Sequence, residues 1–470
     1  MTLRDRQILN IAMPSIVSNI TVPLLGMVDV AITGHMANAA CVGAIAVGGM
    51  LFNIIYWMFA FLRMGTSGQT AQARGARRFD IVRNELFRGI ALALTASVVL
   101  IIAPPLIRYI AFLFMHPSWK VALLATVYFR ICIWGAPASL GLFVFSGWYI
   151  GMQNSRIPMI IAIGQNVINI CLSLFFVYWL HMGIPGVAWG TVIAQWAGFL
   201  IAITLYFVYY HRRILRMIMQ NTECRMQNAK IQDRQPIPTG AKKFAFLFYN
   251  SSYSNIMLFL RTLCLIIVHF LFIAAGTNQG DNALAANTLI MEMFTLYSYF
   301  MDGFANAGEA LAGKAIGART WDIYHSVVHH LFIWGGVVAL LFTMLYVFFG
   351  ESFLGILTSN LAVIETINQY RYWMMLIPIC GMAAFIWDGI YIGATRTDLM
   401  LLSMASSMCV FLLGYYTLIP LFGNHGLWIS FLTYLFMRGV ILTFTRHKIS
   451  MIEASLHFEG DMPNSLQKNL

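Results

Sequence analysis

Apolar runs long enough to cross a bilayer recur along the whole chain, and they constrain it to a bundle of membrane-spanning helices. Hydropathy and helix breakers place twelve spans near residues 8–32, 41–64, 88–113, 122–150, 157–180, 184–210, 244–275, 282–305, 325–349, 367–393, 398–421 and 425–446. At about 1.5 Å of rise per residue, each covers roughly 30 Å of hydrocarbon. Composition agrees, since 60% of the 470 residues are hydrophobic and only 10% are charged, which excludes a soluble domain of useful size. The expected class is an all-α polytopic membrane protein.

A net charge of +11 would suit nucleic acid if the basic residues formed a patch, but they fall in alternate loops. Arg4 and Arg6 precede the first span, Arg74, Arg77, Arg78, Arg83 and Arg88 follow the second, and Lys314, Arg319, Arg446 and Lys448 mark later loops. The loop between the sixth and seventh spans is rich in Arg and Lys, whereas the intervening turns carry almost none, with Lys120 the main exception. By the positive-inside bias, both termini and the central loop are expected to be cytoplasmic, and an even number of spans agrees with both termini lying on one side. The N-terminus runs straight into the first span without an A-x-A site, so no cleavable signal is expected. Seven scattered cysteines form no CxxC pair, and neither a metal nor a cofactor is expected.

An internal repeat is visible by eye. Gly75-Ala76-Arg77 recurs at Gly317-Ala318-Arg319, and Tyr149-Ile150-Gly151 recurs at Tyr391-Ile392-Gly393. Since 317 − 75 and 391 − 149 are both 242, the chain reads as two six-helix halves of the same orientation, related by a pseudo-two-fold axis along the membrane normal. The expected organisation is an N-terminal bundle over 1–210, a basic linker over 211–243, a C-terminal bundle over 244–446 and a tail over 447–470.

Polar residues inside spans are expensive, so each needs a reason. In the first span, Ser15, Asn19, Val22, Gly26, Asp29 and Thr33 share one narrow helical face, which predicts that Asp29 looks into a cavity or a helix neighbour. Pro14 and Pro23 each remove a backbone donor from that helix, and a helix that bends against a bundle tolerates this. Asp29 either hydrogen-bonds across a helix pair or carries a function, and intramembrane carboxylates favour the second reading. Asn166, Asn169 and Ser173 line a face of the fifth span, with Thr191 and Gln195 on the sixth. In the other half, Glu292, Tyr299, Asp302 and Glu309 belong to a polar stripe along and beyond the eighth span, Asp388 lies in the tenth, and Arg261 interrupts an apolar run in the seventh. A lone guanidinium there would be intolerable, so Arg261 is expected to pair with Asp302, Asp388 or both. This cluster serves either transport or the cohesion of the half that contains it.

With twelve spans in two halves, Asp29 in the first, DGFANAGEALAGKAIGART from Asp302 and WDGIYIGATRTDLM from Trp387, the chain resembles the multidrug and toxic compound extrusion (MATE) family, in its DinF-like branch. The resemblance runs from about Arg4 to Arg446. It implies two bundles around a central cavity, alternating access in which cation influx drives substrate export, and a home in a bacterial inner membrane. The family's cation site carries over onto Asp29, Asn169 and Thr191, and its first-helix bend onto Pro14. One departure matters: the similar motif in relatives reads NxxxD, whereas Asn169 to Ser173 here reads NICLS, which removes a carboxylate that a hard cation such as Na⁺ would favour.

A single carboxylate can still carry a proton, because burial favours its neutral form. The preferred reading is therefore antiport of cationic or amphipathic organic compounds against H⁺, with Na⁺ as the second candidate ion, by a monomer that is not an enzyme. The 28 Met and 14% aromatic residues suit an adaptable cavity. A lipid-linked oligosaccharide flippase ranks second, since it should line its cavity with several basic residues. A membrane enzyme ranks third, for want of an HExxH, GxSxG or aspartate-rich metal motif.

Overall fold

The computed structural model describes residues 2–34, 39–105, 119–231, 241–357 and 361–449. Among them there is no strand. The helices are α1 (Leu3–Gly34), α2 (Ala39–Met58), α3 (Phe61–Gly75), α4 (Phe79–Ile102), α5 (Trp119–Cys132), α6 (Ala136–Gly151), α7 (Arg156–Leu174), α8 (Ile184–Leu205) and α9 (Arg212–Ile231), followed by α10 (Ala241–Thr277), α11 (Asp281–Gly317), α12 (Trp321–Leu357), α13 (Leu361–Gly393), α14 (Thr397–Phe422) and α15 (Asn424–Thr445). Taken together, α2 with α3 make one span, as do α5 with α6 around a 3₁₀ turn at Ile133–Gly135. With α9 set aside, this is the expected all-α membrane architecture of twelve spans.

The segment 211–243, expected as a basic linker, is helical at its described residues 211–231 and 241–243. A π-helical turn at Tyr206–His211 leads α8 into α9. Ile214 is buried in the core of this half and Ile218 packs against it, so one stripe of a basic helix is apolar and docks it.

Two compact units share the chain: Met1–Ala12 with Ile256–Leu470, and Met13–Asn255. Helix α1 contributes to both. It starts with a reciprocal cap in which the Asp5 backbone N–H donates to Thr2 Oγ1 at 3.2 Å and the Thr2 N–H and hydroxyl donate to Asp5 Oδ2 at 2.6 and 2.9 Å, satisfying donors that a helix start leaves open. The other Asp5 oxygen accepts from Trp334 Nε1 of α12 at 3.0 Å. These hydrogen bonds, the one from the Thr2 backbone foremost, hold the Asp5 carboxyl below its ordinary range.

The repeat read from the triplets has a structural cause. Each triplet lies at a helix C-terminus closed by a residue of positive φ: Arg77 and Arg319 at 54° and 56°, Gln153 and Thr395 both at 55°. In all four the next N–H reaches back to a carbonyl five residues earlier, Arg78 to Ala73 and Thr320 to Ala315 at 2.8 and 2.9 Å, Asn154 to Tyr149 and Arg396 to Tyr391 at 2.9 and 3.0 Å. This is the Schellman closure, which satisfies carbonyls that the helix end would strand. Farther on, Gly183 and Gly423 precede α8 and α15 at φ 61° and 56°, and 423 − 183 is 240. The first copy is thus two residues longer in this stretch, and its helix α7 runs into a π-helical turn at Phe175–Trp179, a device that takes up extra residues without ending a helix. Tyr149 and Tyr391 keep step, donating to the Ala202 and Leu442 carbonyls at 2.8 and 2.7 Å.

Helix packing repeats as well. A Cβ on Gly147 of α6 would stand 2.2 Å from the Arg63 carbonyl oxygen of the α3 helix, and one on Gly389 of α13 would stand 2.2 Å from the Ala305 oxygen of α11. Only glycine lets the two backbones come so close. Gly389→Ala is accordingly expected to force α11 and α13 apart and to cost about 1–3 kcal/mol or more, whereas Gly336→Ala, whose added methyl would meet only Met382 Sδ at 3.9 Å, should be near neutral. Melting temperatures of the purified variants in detergent test this, and equal values for the two would refute the contact as described.

Candidate functional site

Helix α7 brings the polar residues of the first half together. The Asn166 Nδ2 donates to the Thr21 carbonyl of α1 at 2.9 Å, so the polar face of α7 meets α1 two turns before Asp29. One turn along, Asn169 Nδ2 donates to Thr191 Oγ1 of α8 at 3.1 Å, and the Thr191 hydroxyl donates to the Val187 carbonyl at 3.0 Å. The Ser173 hydroxyl in turn donates to Asn169 Oδ1 at 3.3 Å. Asn169 is 1% exposed and Ser173 is fully buried. Three of the four sequence candidates therefore form one chain of hydrogen bonds between α7 and α8. Asp29 itself lies on α1, but its side chain is outside the described residues. Pro14 and Pro23 both lie inside α1, where each lacks the N–H that its turn would use.

Close packing limits what Ser173 can become. A Cβ on Gly190 of α8 would stand 2.6 Å from Ser173 Oγ and 3.0 Å from the Ser173 nitrogen, so the hydroxyl fills the gap between the two helices. Gln195, one turn beyond Thr191, likewise occupies the space a side chain at Gly135 would need, with Oε1 1.7 Å from the place of its Cβ.

The expected pairing of Arg261 is met by Asp388. Arg261 of α10 is ion-paired with Asp388 of α13 through Oδ2, and Arg438 of α15 reaches the same oxygen at 2.6 Å. All three are buried, the arginines at 5% and 4% exposure, and the Arg438 guanidinium also lies over the Tyr434 ring at 5.6 Å, a favourable cation–π placement. Glu292, Tyr299 and Asp302 lie along α11, with Glu292 exposed and the other two half-buried, while Glu309 is buried farther along the same helix. Arg438 escaped the sequence reading although its signal equals that of Arg261: an arginine in the apolar run FLTYLFMRGVILTFT. His269 escaped it too; it lies two turns beyond Arg261 on α10, with its ring centroid 6.3 Å from that of Phe294 and 6.2 Å from that of Phe431.

The two halves also match one family model. The MatE model aligns to residues 14–175 and again to 255–417, segments offset by 241 at their starts and 242 at their ends. The chain belongs to the MATE family. This MATE protein is 33% identical over 442 residues to DNA damage-inducible protein F of Escherichia coli strain K12, covering 94% of this chain and 92% of that one. It is 24% identical over 257 residues to a probable multidrug resistance protein NorM of Thermotoga maritima, 54% of each chain. Among solved structures it is similar to MATE in the bent conformation, with a TM-score of 0.81, 18% identity and 97% coverage of both chains. A second, an outward-facing multidrug resistance MATE family transporter, gives a TM-score of 0.74 with 96% of this chain and 97% of that one covered. These likenesses establish the two-bundle, twelve-helix fold for this MATE protein.

Proposed function

We propose that this MATE protein is a secondary active multidrug efflux transporter that exports cationic or amphipathic organic compounds in exchange for protons. The observation that carries the reading is the Asn169–Thr191–Ser173 chain on a face of α7 that Asn166 ties to α1, the helix bearing Asp29. Asn169, Thr191 and Ser173 offer only neutral oxygens and amides, and Asp29 is the one carboxylate assigned to this site, which suits a group that gains and loses a proton. A Na⁺ ion would need more anionic ligands than one carboxylate supplies. The carboxylate at Asp388 is already neutralised by two guanidiniums, which argues against it as a cation site.

Asp29 would release substrate when protonated from outside and rebind it after passing the proton inward, as Asn169, Thr191 and Ser173 position it. In this reading the protein works as a monomer in the bacterial inner membrane, with both termini, the basic segment 211–243 and the tail 447–470 on the cytoplasmic side. Purified protein in proteoliposomes, loaded with a fluorescent cationic dye, should export it under an imposed pH gradient in Na⁺-free buffer and not under a Na⁺ gradient alone. Export driven by Na⁺ and not by pH would overturn the proton assignment and turn attention to Glu292 and Asp302.

A further inference from the structure

A cavity of 320 Å³ opens between α12, α13 and the end of α15, lined by His325, Val328, His329, Phe332, Trp387, Thr443 and Arg446. It lies at the basic end of these helices. His325 and His329 are one turn apart near the start of α12, Arg446 directly follows α15, and all three side chains are exposed at its rim. Nearby, Arg396, just after α13, donates to the Lys448 carbonyl at 3.2 Å and is ion-paired with Asp398, so the positive charge at the cavity comes from its own rim. The floor is apolar. Trp387 is 2% exposed, its ring packs against Phe332 at 5.2 Å, and its Nε1 donates to Thr443 Oγ1 at 2.8 Å, while the Thr443 hydroxyl is spent on the Gly439 carbonyl at 2.7 Å.

No carboxylate lines the cavity, and Arg446 has no ion-pair partner among the described residues. Asp322, one turn before His325, is the nearest acid along α12 and is not part of the lining. A planar guanidinium with two imidazoles on one rim presents donors for a phosphate, and the volume is about ten times a water molecule's share of the liquid. The position near the ends of membrane-spanning helices, with Phe332 and Val328 below, adds an apolar wall under the charge.

We propose that this cavity binds the phosphate headgroup of an anionic phospholipid from the surrounding bilayer, with Arg446, His325 and His329 holding the phosphate and Phe332 with Trp387 supporting the glycerol and upper acyl chain. Basic pockets between membrane helices recognise headgroups in this way. The site depends on neither the coupling ion nor the exported compound.

The test is titration of the purified full-length protein in detergent with a short-chain phosphatidylglycerol, the matching phosphatidylcholine, and inorganic phosphate, read as apparent Kd and as melting temperature. Phosphatidylglycerol should bind and stabilise the wild type more than phosphatidylcholine does. The combined His325→Gln, His329→Gln and Arg446→Gln variant, changed only at exposed rim positions, should weaken the phosphatidylglycerol Kd by about tenfold or more, the equivalent of one charge-assisted hydrogen bond. Arg213→Gln, exposed on α9, should leave it unchanged. Equal Kd values for the wild type and the triple variant, or equal weakening by Arg213→Gln, would overturn the site. Inorganic phosphate that binds as tightly as the lipid would assign the cavity to a soluble anion and overturn the lipid as its occupant.

Discussion

Asp388→Ala is expected to be the most destabilising single change in the unit that contains Ile256–Leu470, lowering stability by about 3–5 kcal/mol and leaving little monodisperse protein after extraction. The reason is that one oxygen, Asp388 Oδ2, accepts from both Arg261 and Arg438, two side chains that are 5% and 4% exposed. Without it, two guanidiniums confront each other away from water. Arg261→Ala should be milder. Arg438 still holds Asp388 when Arg261 is removed, so the expected loss is that of a charge-assisted hydrogen bond, about 1.5–3 kcal/mol. Replacing all three with apolar residues of similar size, Arg261→Met, Asp388→Leu and Arg438→Met, should recover much of the stability lost in Asp388→Ala. Melting temperatures of the four proteins in detergent decide the matter. If Asp388→Ala melts no lower than Arg261→Ala, the triad does not organise this unit.

Asp29→Asn is expected to bring gradient-driven export down to background while the protein remains folded and inserted. The amide keeps the size of the carboxyl and one acceptor oxygen, and it takes a charge out of a membrane-spanning helix, so stability should hold or rise. What it cannot do is bind and release a proton, and coupling by a single carboxylate depends on that step alone. Efflux from proteoliposomes under an imposed pH gradient, normalised to incorporated protein, is the measurement. An Asp29→Asn variant that exports at the wild-type rate would make Asp29 a structural residue. The companion change Asn169→Ala should retain export at reduced rate, since it removes the amide that links Ser173 to Thr191 and leaves the proposed proton carrier in place.

How far the chain could be read without coordinates depended on whether each property was local. A run of twenty apolar residues demands a helix whatever surrounds it, so the twelve spans were legible, as were the polar face of α7 at spacings of three and four and the repeated triplets that prove to be helix-end closures. The need of Arg261 for an acid was also legible, because desolvation penalises the arginine by itself. The identity of that acid was not: Asp302 and Asp388 carry the same chemistry, and the rotation of α13 about its axis is what brings Asp388 to Arg261. The same holds for Arg438, whose place in the triad comes from the approach of α15 to α13. It holds for Ser173, which pattern reading treats as a missing carboxylate and which the packing of α7 on α8 seats against Gly190. Helix α9 was obscured by its own polarity, since only contact with the core around Ile214 reveals its docked stripe. Spans, periodicity and the cost of a buried charge are properties of the chain, whereas the partner each charge meets is set by helix rotation and crossing, which only the tertiary structure decides.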